Sequence, residues 1–123
     1  MILADTSLWV QHFRRGVPEF AEALQNGDIS IHPVVIGELA CGNLAERART
    51  LTALCSLPRV ETGAPEECLN FIESHALHGR GIGWNDIQLL VAARLSRNPL
   101  WSLDTRLTAA AIQLSVAFTA PIM

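Results

Sequence analysis

The sequence predicts an α/β fold, in which a central, mostly parallel sheet of roughly four to five short strands is wrapped by about seven helices. Short apolar runs at the start of the chain and near residues 30, 101 and 117 alternate with segments of helical periodicity. Half of the 123 residues are apolar and 17% are charged, which favours a sheet covered on both faces. We expect residues 1–123 to form a single domain.

The first half of the chain is predicted to hold two strands and four helices. The apolar residues 1–4 form a strand that ends at Asp5, and a helix follows. Pro18 suits the first turn of the next helix, and Asn26-Gly27-Asp28 indicates a turn. The predicted elements are a strand at 1–5, helices at 7–14 and 18–24, a strand at 29–31, and helices at 32–42 and 45–57.

The second half centres on residues 83–107. A helix from Pro65 to about His78 leads into the glycine-rich loop 79–83. The next helix begins at Asp86 and ends at Asn98-Pro99, because the residue before proline is pushed out of helical conformation. Its apolar residues recur at helical spacing, and a buried strand, a last helix and an edge strand follow. The apolar residues are Ile87, Leu90, Val91 and Leu95, and the elements that follow are strand 100–103, the helix from Leu107 to Leu114 and strand 116–118.

The charge of the chain restricts how it can bind phosphate. The net charge is −3, and all nine basic residues are arginine, because the sequence contains no lysine. There is no broad basic surface of the kind that accompanies non-specific nucleic-acid binding. Phosphate contacts would therefore be local, through single arginines or through a metal ion.

The cysteines and the hydropathy pattern indicate a cytoplasmic protein. Cys41, Cys55 and Cys68 are widely spaced and form no CxxC pair, so we expect reduced, buried thiols. No apolar run approaches membrane-spanning length. The N-terminus lacks the basic segment and apolar core of a signal peptide.

Four carboxylates occupy positions that suit a joint site. Asp5 and Asp104 each follow a predicted strand, Asp86 lies at a helix start, and Glu38 lies in an apolar helix. Each also has a structural explanation. Asp5 and Asp104 could be helix N-caps, worth about 1 kcal/mol each. Asp86 could interact with the helix dipole, and Glu38 could lie on a solvated stripe.

The joint pattern favours a metal centre over four independent structural roles. Carboxylates brought together raise one another's pKa unless a cation compensates their charge. Mg²⁺ and Mn²⁺ prefer carboxylate and water oxygens. Such an ion can lower the pKa of a bound water and stabilise a leaving oxygen, which suits hydrolysis of a phosphodiester.

Four segments carry a family resemblance. In order they are ILADTSLWV, VIGELACG, WNDIQLLVAA and LWSLDTRL, and they are spread over nearly the full length. With these segments the chain resembles the PIN-domain ribonucleases and, among them, the VapC toxins of bacterial type II toxin–antitoxin pairs. The resemblance implies a single PIN-like domain over residues 1–123, folded as a three-layer sandwich.

The resemblance also implies a set of functional residues. Asp5, Glu38, Asp86 and Asp104 would be the catalytic acids that bind Mg²⁺ or Mn²⁺. A supporting hydroxyl would come from Thr6, and Ser102 would provide another where many relatives have threonine. The implied activity is metal-dependent endoribonuclease cleavage of structured RNA, often tRNA or rRNA. A homodimer and a small VapB-like antitoxin are the implied partners.

Residues near the acids could contact RNA. Arg80 lies in the glycine-rich loop before Asp86, and Arg106 lies two residues after Asp104. Trp84 could stack on a base. Solvated surface arginines explain Arg80 and Arg106 equally well. The pattern Gly79-x-Gly81-x-Gly83 does not itself predict a phosphate cradle, since no strand precedes it with the expected spacing.

Two other kinds of protein compete with a ribonuclease. A catalytically silent PIN-like module could bind RNA or an antitoxin without cutting, although such modules usually lack one or more of the acids. A phosphoryl-transfer domain, such as a receiver or a haloacid-dehalogenase-like phosphatase, also places aspartates at strand ends. Those domains depend on a lysine, which this chain lacks.

Overall fold

The sheet is parallel and has β1 at its centre. The computed structural model describes residues 1–119. The strands are β1 (Ile2–Ala4), β2 (Ile29–Ser30) and β3 (Leu100–Trp101), in the spatial order β2-β1-β3. β1 pairs with both neighbours in parallel, with Leu3 opposite Ser30 on one side and Leu100 on the other.

Within residues 1–119 the sheet has three strands, so the predicted number of four to five is wrong. Single bridges extend it at each edge, between Ile31 and Arg59 and between Leu100 and Ala117. The predicted strand at 116–118 contributes only the second of these bridges. Pro58, which has no N–H to donate, precedes the first bridge, and Ser115, with a φ of 59°, bends the chain just before the second.

Seven helices surround the sheet in the described part of the chain, as predicted. The predicted helix from residue 65 to about residue 78 ends early, because Ala76 has a φ of 51°. The helices are α1 (Thr6–Arg15), α2 (Pro18–Gln25), α3 (Pro33–Ala40), α4 (Arg47–Cys55), α5 (Pro65–Ser74), α6 (Trp84–Ser96) and α7 (Thr105–Gln113).

The core explains the high apolar content. α6 is buried on most of its circumference, as in a helix packed on several sides. Phe20 is fully buried, with its ring edge-on to Trp9 at a centroid distance of 4.7 Å and to Trp101 at 5.7 Å. These aromatic pairs join α1 and α2 to the end of β3, and so hold the helices that follow β1 against the sheet.

Only part of the expectation for the cysteines is met. All three thiols are free, and Cys68 is buried. Cys41 and Cys55 are exposed, so their predicted burial is wrong. Both lie at helix ends, Cys41 as the C-cap of α3 and Cys55 as the last residue of α4, where fewer neighbours cover a side chain. Among residues 1–119, no helix has the length and apolarity that crossing a bilayer requires.

Candidate active site

Asp5 lies at the carboxyl end of the central strand and is held by three donors. It is the N-cap of α1, and only 4% of its surface is exposed. Its Oδ1 accepts from Ser7 Oγ at 2.6 Å and from Leu8 N at 3.3 Å, while Ser102 Oγ donates to Oδ2 at 2.8 Å. Asp5 is therefore both a cap and an oriented carboxylate at the edge where sites form in parallel sheets.

Ser7 is a site residue that sequence reasoning missed. Besides donating to Asp5, its hydroxyl accepts from Leu103 N at 3.0 Å. Ser102 behaves similarly, since its hydroxyl also accepts from Asp104 N at 2.9 Å. The two serines tie the end of β1 to the end of β3. The available signal was a serine two residues after an N-cap aspartate, a spacing that favours local side-chain bonding.

Glu38, the next of the four acids along the chain, is exposed. It lies on α3, and its Oε1 accepts a 2.6 Å hydrogen bond from Thr6 Oγ1. The Thr6 hydroxyl therefore orients Glu38 and not the neighbouring Asp5. Asp5 is oriented by the hydroxyls of Ser7 and Ser102. This contact joins the first turn of α1 to α3.

Asp86 and Asp104 lie at the starts of α6 and α7. α6 begins at Trp84, two residues earlier than predicted, so Asp86 lies in its first turn and accepts from Gly83 N at 2.9 Å. Asp104 caps α7, and its Oδ1 accepts from Arg106 N at 2.9 Å and from Leu107 N at 3.0 Å. Each helix start thus presents an acid beside the sheet edge.

The carboxylates are close enough to influence one another. Burial first, and to a lesser extent the charge of Asp86, raise the pKa of Asp5. The pKa of Asp86 is raised by burial and then by Asp104 and Glu38. In the described part of the chain, the ion pair found is Arg49–Glu46 on the surface, so no arginine or histidine pairs with any of the four acids.

The donor chemistry of this cluster fits a hard divalent cation. Three acids each keep one oxygen that accepts no hydrogen bond from residues 1–119, namely Glu38 Oε2, Asp86 Oδ1 and Asp104 Oδ2. All the side-chain atoms that could coordinate an ion here are carboxylate oxygens, which suits Mg²⁺ or Mn²⁺. Within residues 1–119, no group of three or more His, Cys, Asp or Glu side chains is close enough together to coordinate one ion.

Two of the three predicted RNA-contact residues, Trp84 and Arg106, lie at the starts of α6 and α7, whereas Arg80 contacts the last residue of α7. Trp84 is the first residue of α6 and is 44% exposed. Arg80 Nη1 donates to Gln113 Oε1 on α7, which gives this side chain a partner within the protein. The exposed Arg106 side chain packs against Gly81 in the glycine-rich loop.

A groove begins beside Glu38 and runs along α1 and α4. Its first cavity has a volume of about 510 Å³ and is lined by charged and apolar side chains, including Arg14, Glu38 and Leu44. A second, more apolar cavity of about 310 Å³ shares Phe13 and Thr50 with the first. The size of the larger cavity is within the usual range for ligand sites.

Comparisons with known proteins agree with this architecture. The chain is 36% identical over 118 residues to Ribonuclease VapC32 of Mycobacterium tuberculosis, in strains H37Rv and CDC 1551, with 95% of each chain covered. It also shares the fold of PAE2754 from Pyrobaculum aerophilum, whose crystal structure matches with a TM-score of 0.58 at 18% identity, covering 93% of this chain and 88% of that one. No protein-family model matches the chain.

Proposed function

Because the chain belongs to the VapC-type PIN-domain ribonucleases, we propose that it is a metal-dependent endoribonuclease and the toxin of a VapBC-type toxin–antitoxin pair. Residues 1–123 would form one PIN-like domain acting in the cytoplasm. The observation that carries the proposal is the cluster of Asp5, Glu38, Asp86 and Asp104. These acids come from four separate segments and have no basic partner among residues 1–119. Burial and then Asp86 raise the pKa of Asp5, and burial followed by Asp104 and Glu38 raises the pKa of Asp86.

The four acids would hold Mg²⁺ or Mn²⁺. When bound, the ion would lower the pKa of a water molecule and stabilise the leaving oxygen of the phosphodiester. The protein contributes orientation, since Ser7, Ser102 and Leu8 N fix the Asp5 carboxylate and Thr6 fixes one Glu38 oxygen. A carboxylate held in this way loses less conformational entropy when the ion binds.

The substrate would be structured RNA such as tRNA or rRNA. Trp84 offers an exposed indole face beside Asp86 for base stacking. Arg106, at the start of α7, and Arg80, in the glycine-rich loop before α6, would supply positive charge for the RNA, in a chain whose net charge is −3. Contacts confined to these residues would direct the phosphodiester toward the acids, because the rest of the surface offers RNA little attraction.

A VapB-like antitoxin would occupy the groove beside Glu38. Phe13, which is 44% exposed and borders both cavities, would provide an apolar contact for a peptide segment. Arg14 and Glu46 provide charges of both signs along the first cavity. A segment in this groove would end beside an acid of the proposed site and block it. We also propose a homodimer, which would cover part of the exposed apolar surface.

Cleavage by the purified protein tests this proposal. Wild-type protein should cut RNA in the presence of Mg²⁺ or Mn²⁺ and stop cutting when EDTA is added. Asp5→Asn should lose activity by about 100-fold or more, as expected when a metal-binding group is removed. Asp28→Asn is the matched control, because Asp28 is exposed and lies beside Ile2 at the start of β1, whereas Asp5 follows the carboxyl end of that strand.

The same assay separates the enzyme from a catalytically silent PIN-like module. A silent module would bind RNA or an antitoxin with no cleavage by the wild type under any metal condition. Equal cleavage by wild type and Asp5→Asn would contradict the assigned site. Residual cleavage that survives EDTA would contradict the role of the metal.

A further inference from the structure

The Arg106 side chain has an unusual environment for a cation beside an acidic cluster. Arg106 lies at the start of α7, where its backbone N–H donates to Asp104 Oδ1. Its guanidinium, however, makes no hydrogen bond or ion pair within residues 1–119. Instead it lies against the backbone of Gly81, with its side chain exposed to solvent. Among residues 1–119, the donors of this guanidinium therefore have no acceptor.

Gly81 makes this placement possible. A Cβ at position 81 would lie 2.5 Å from Arg106 Nη1, 2.9 Å from Cδ and 3.1 Å from Cζ. These distances are shorter than van der Waals contact, so the guanidinium occupies the volume that any other residue's Cβ would fill. The φ of Gly81 is 76°, a left-handed conformation that also favours glycine.

The loop that carries Gly81 is fixed at both sides of this contact. On one side, Arg80 donates to Gln113 on α7. On the other, Gly83 N donates to Asp86 at the start of α6. The surface under the Arg106 guanidinium is therefore anchored to the same two helices that present Asp86 and Asp104.

We propose that Gly81 is a positioning residue that holds the Arg106 guanidinium ready to bind an RNA phosphate at the edge of the acidic cluster. The inference rests on the proposed function and specifies how the substrate is held. A planar guanidinium presents paired donors that match two phosphate oxygens, and packing on Gly81 reduces its freedom before RNA arrives. Lysine, a point charge on a flexible stem, would not replace it fully.

The test compares Gly81→Ala with Gly79→Ala. Both glycines lie in the same loop with similar positive φ values, 76° and 69°. A Cβ at Gly79 meets nothing within 4 Å, whereas one at Gly81 meets Arg106. Both substitutions therefore introduce the same kind of backbone strain, and only Gly81→Ala displaces the guanidinium. Because a flexible side chain can move away, Gly81→Ala should still fold.

Two measurements report the displacement. In cleavage assays, Gly81→Ala and Arg106→Met should each raise KM by about tenfold, equivalent to about 1.4 kcal/mol, with kcat changed much less. In the inactive Asp5→Asn background, RNA binding followed by anisotropy should lose about one unit of the slope of log Kd against log salt concentration. Gly79→Ala should match its parent in both assays, and Arg106→Lys should recover the salt slope but only part of the affinity.

Two outcomes would overturn the inference: Gly81→Ala behaving like Gly79→Ala, or Arg106→Met keeping the parental salt slope. If Gly81→Ala does not fold, Arg106→Met and Arg106→Lys decide alone. Failure of the proposed function looks different, because the wild type would then cleave no RNA or Asp5→Asn would remain active, whatever the glycine variants do.

Discussion

Ser102 Oγ donates a 2.8 Å hydrogen bond to Asp5 Oδ2 across a separation of 97 residues. The same hydroxyl accepts from Asp104 N at 2.9 Å, so one side chain contacts two segments that each supply an acid. Ser102 follows β3 and Asp5 follows β1, and these neighbouring strands end at the same edge of the sheet. The pairing register of β1 and β3 therefore sets the position of Ser102 relative to Asp5, and with it the geometry of the site.

We expect Ser102→Ala to lower kcat/KM for RNA cleavage by about tenfold, because Asp5 loses an orienting donor. The free energy of unfolding should fall by about 1–2 kcal/mol, since Asp104 N also loses its acceptor. Steady-state kinetics and urea unfolding measure the two effects. Ser102→Thr keeps the hydroxyl and should stay near wild type. Unchanged kinetics in Ser102→Ala would show that this hydrogen bond does not position Asp5 for the reaction.

Thr6→Val should separate a functional role from a structural one. The substitution removes the donor to Glu38 Oε1 with little change of shape. Glu38 is exposed, so the free energy of unfolding should change by less than about 0.5 kcal/mol. The Mn²⁺ concentration for half-maximal cleavage should rise several-fold, because Glu38 is no longer oriented. Thr52→Val, which loses only a bond to Ala48 O on the outside of α4, is the control and should leave the Mn²⁺ dependence unchanged.

Asp5→Asn should make the metal-free protein more stable at neutral pH while making it inactive. Burial and Asp86 raise the pKa of Asp5 above its ordinary value of 3.8. The unfolded chain therefore loses this proton at lower pH than the folded protein does. The contribution of Asp5 to stability is therefore greatest below pH 3.8, and this contribution is lost as pH rises through the higher folded-state pKa.

With EDTA present, Asn at position 5 should raise Tm by about 2–5 °C at pH 7.5, and the gain should shrink toward pH 4. Differential scanning calorimetry across this range measures it. Mn²⁺ should raise the Tm of the wild type and have little effect on the variant. A variant less stable than wild type at pH 7.5 would show that the hydrogen bonds to Asp5 outweigh the cost of burying its charge.

His32 should make stability depend on pH in the opposite direction. It caps α3 by accepting from Val34 N through Nδ1 at 2.9 Å, and burial lowers its pKa below 6.5. The unfolded chain takes up a proton first as pH falls, so the free energy of unfolding should decrease from about pH 6.5 down through the folded-state pKa.

His32→Asn keeps a capping oxygen but cannot titrate. It should remove the part of the fall in stability that begins near pH 6.5, the ordinary pKa of histidine, and continues down through the lowered folded-state pKa of His32. Chemical unfolding at several pH values tests this. His78→Asn changes an exposed histidine and should retain the wild-type slope. A wild-type slope in His32→Asn would mean that the pH dependence arises elsewhere.

Local patterns predicted most of the fold. The spacing of Ile87, Leu90 and Val91 gave the buried face of α6, and Pro99 marked its end correctly to within a few residues. Asp5 and Asp104 were expected as possible caps after strands, and both are caps. These features depend on neighbours a few residues apart, so periodicity and capping preferences describe them well.

Contacts between residues far apart in the sequence were harder to predict. The roles of Thr6 and Ser7 depend on which acid each hydroxyl meets, and that is set by how α1 packs against α3 and β3. The contact between Gly81 and Arg106 joins a loop to a helix 25 positions further along the chain. Edge-strand length likewise depends on Ser115 and Pro58, which shorten pairing that the apolar pattern alone would extend.

The hydrogen bond between Ser102 and Asp5 also sets when a newly made chain can complete its site. Asp5 is synthesised before Ser102, and the two are 97 residues apart. At about 5–20 residues per second, roughly 5–20 s of translation separate the two. During that time the Asp5 carboxylate lacks the Ser102 donor. A ribosome making this protein therefore carries an unfinished site until Ser102 has been added.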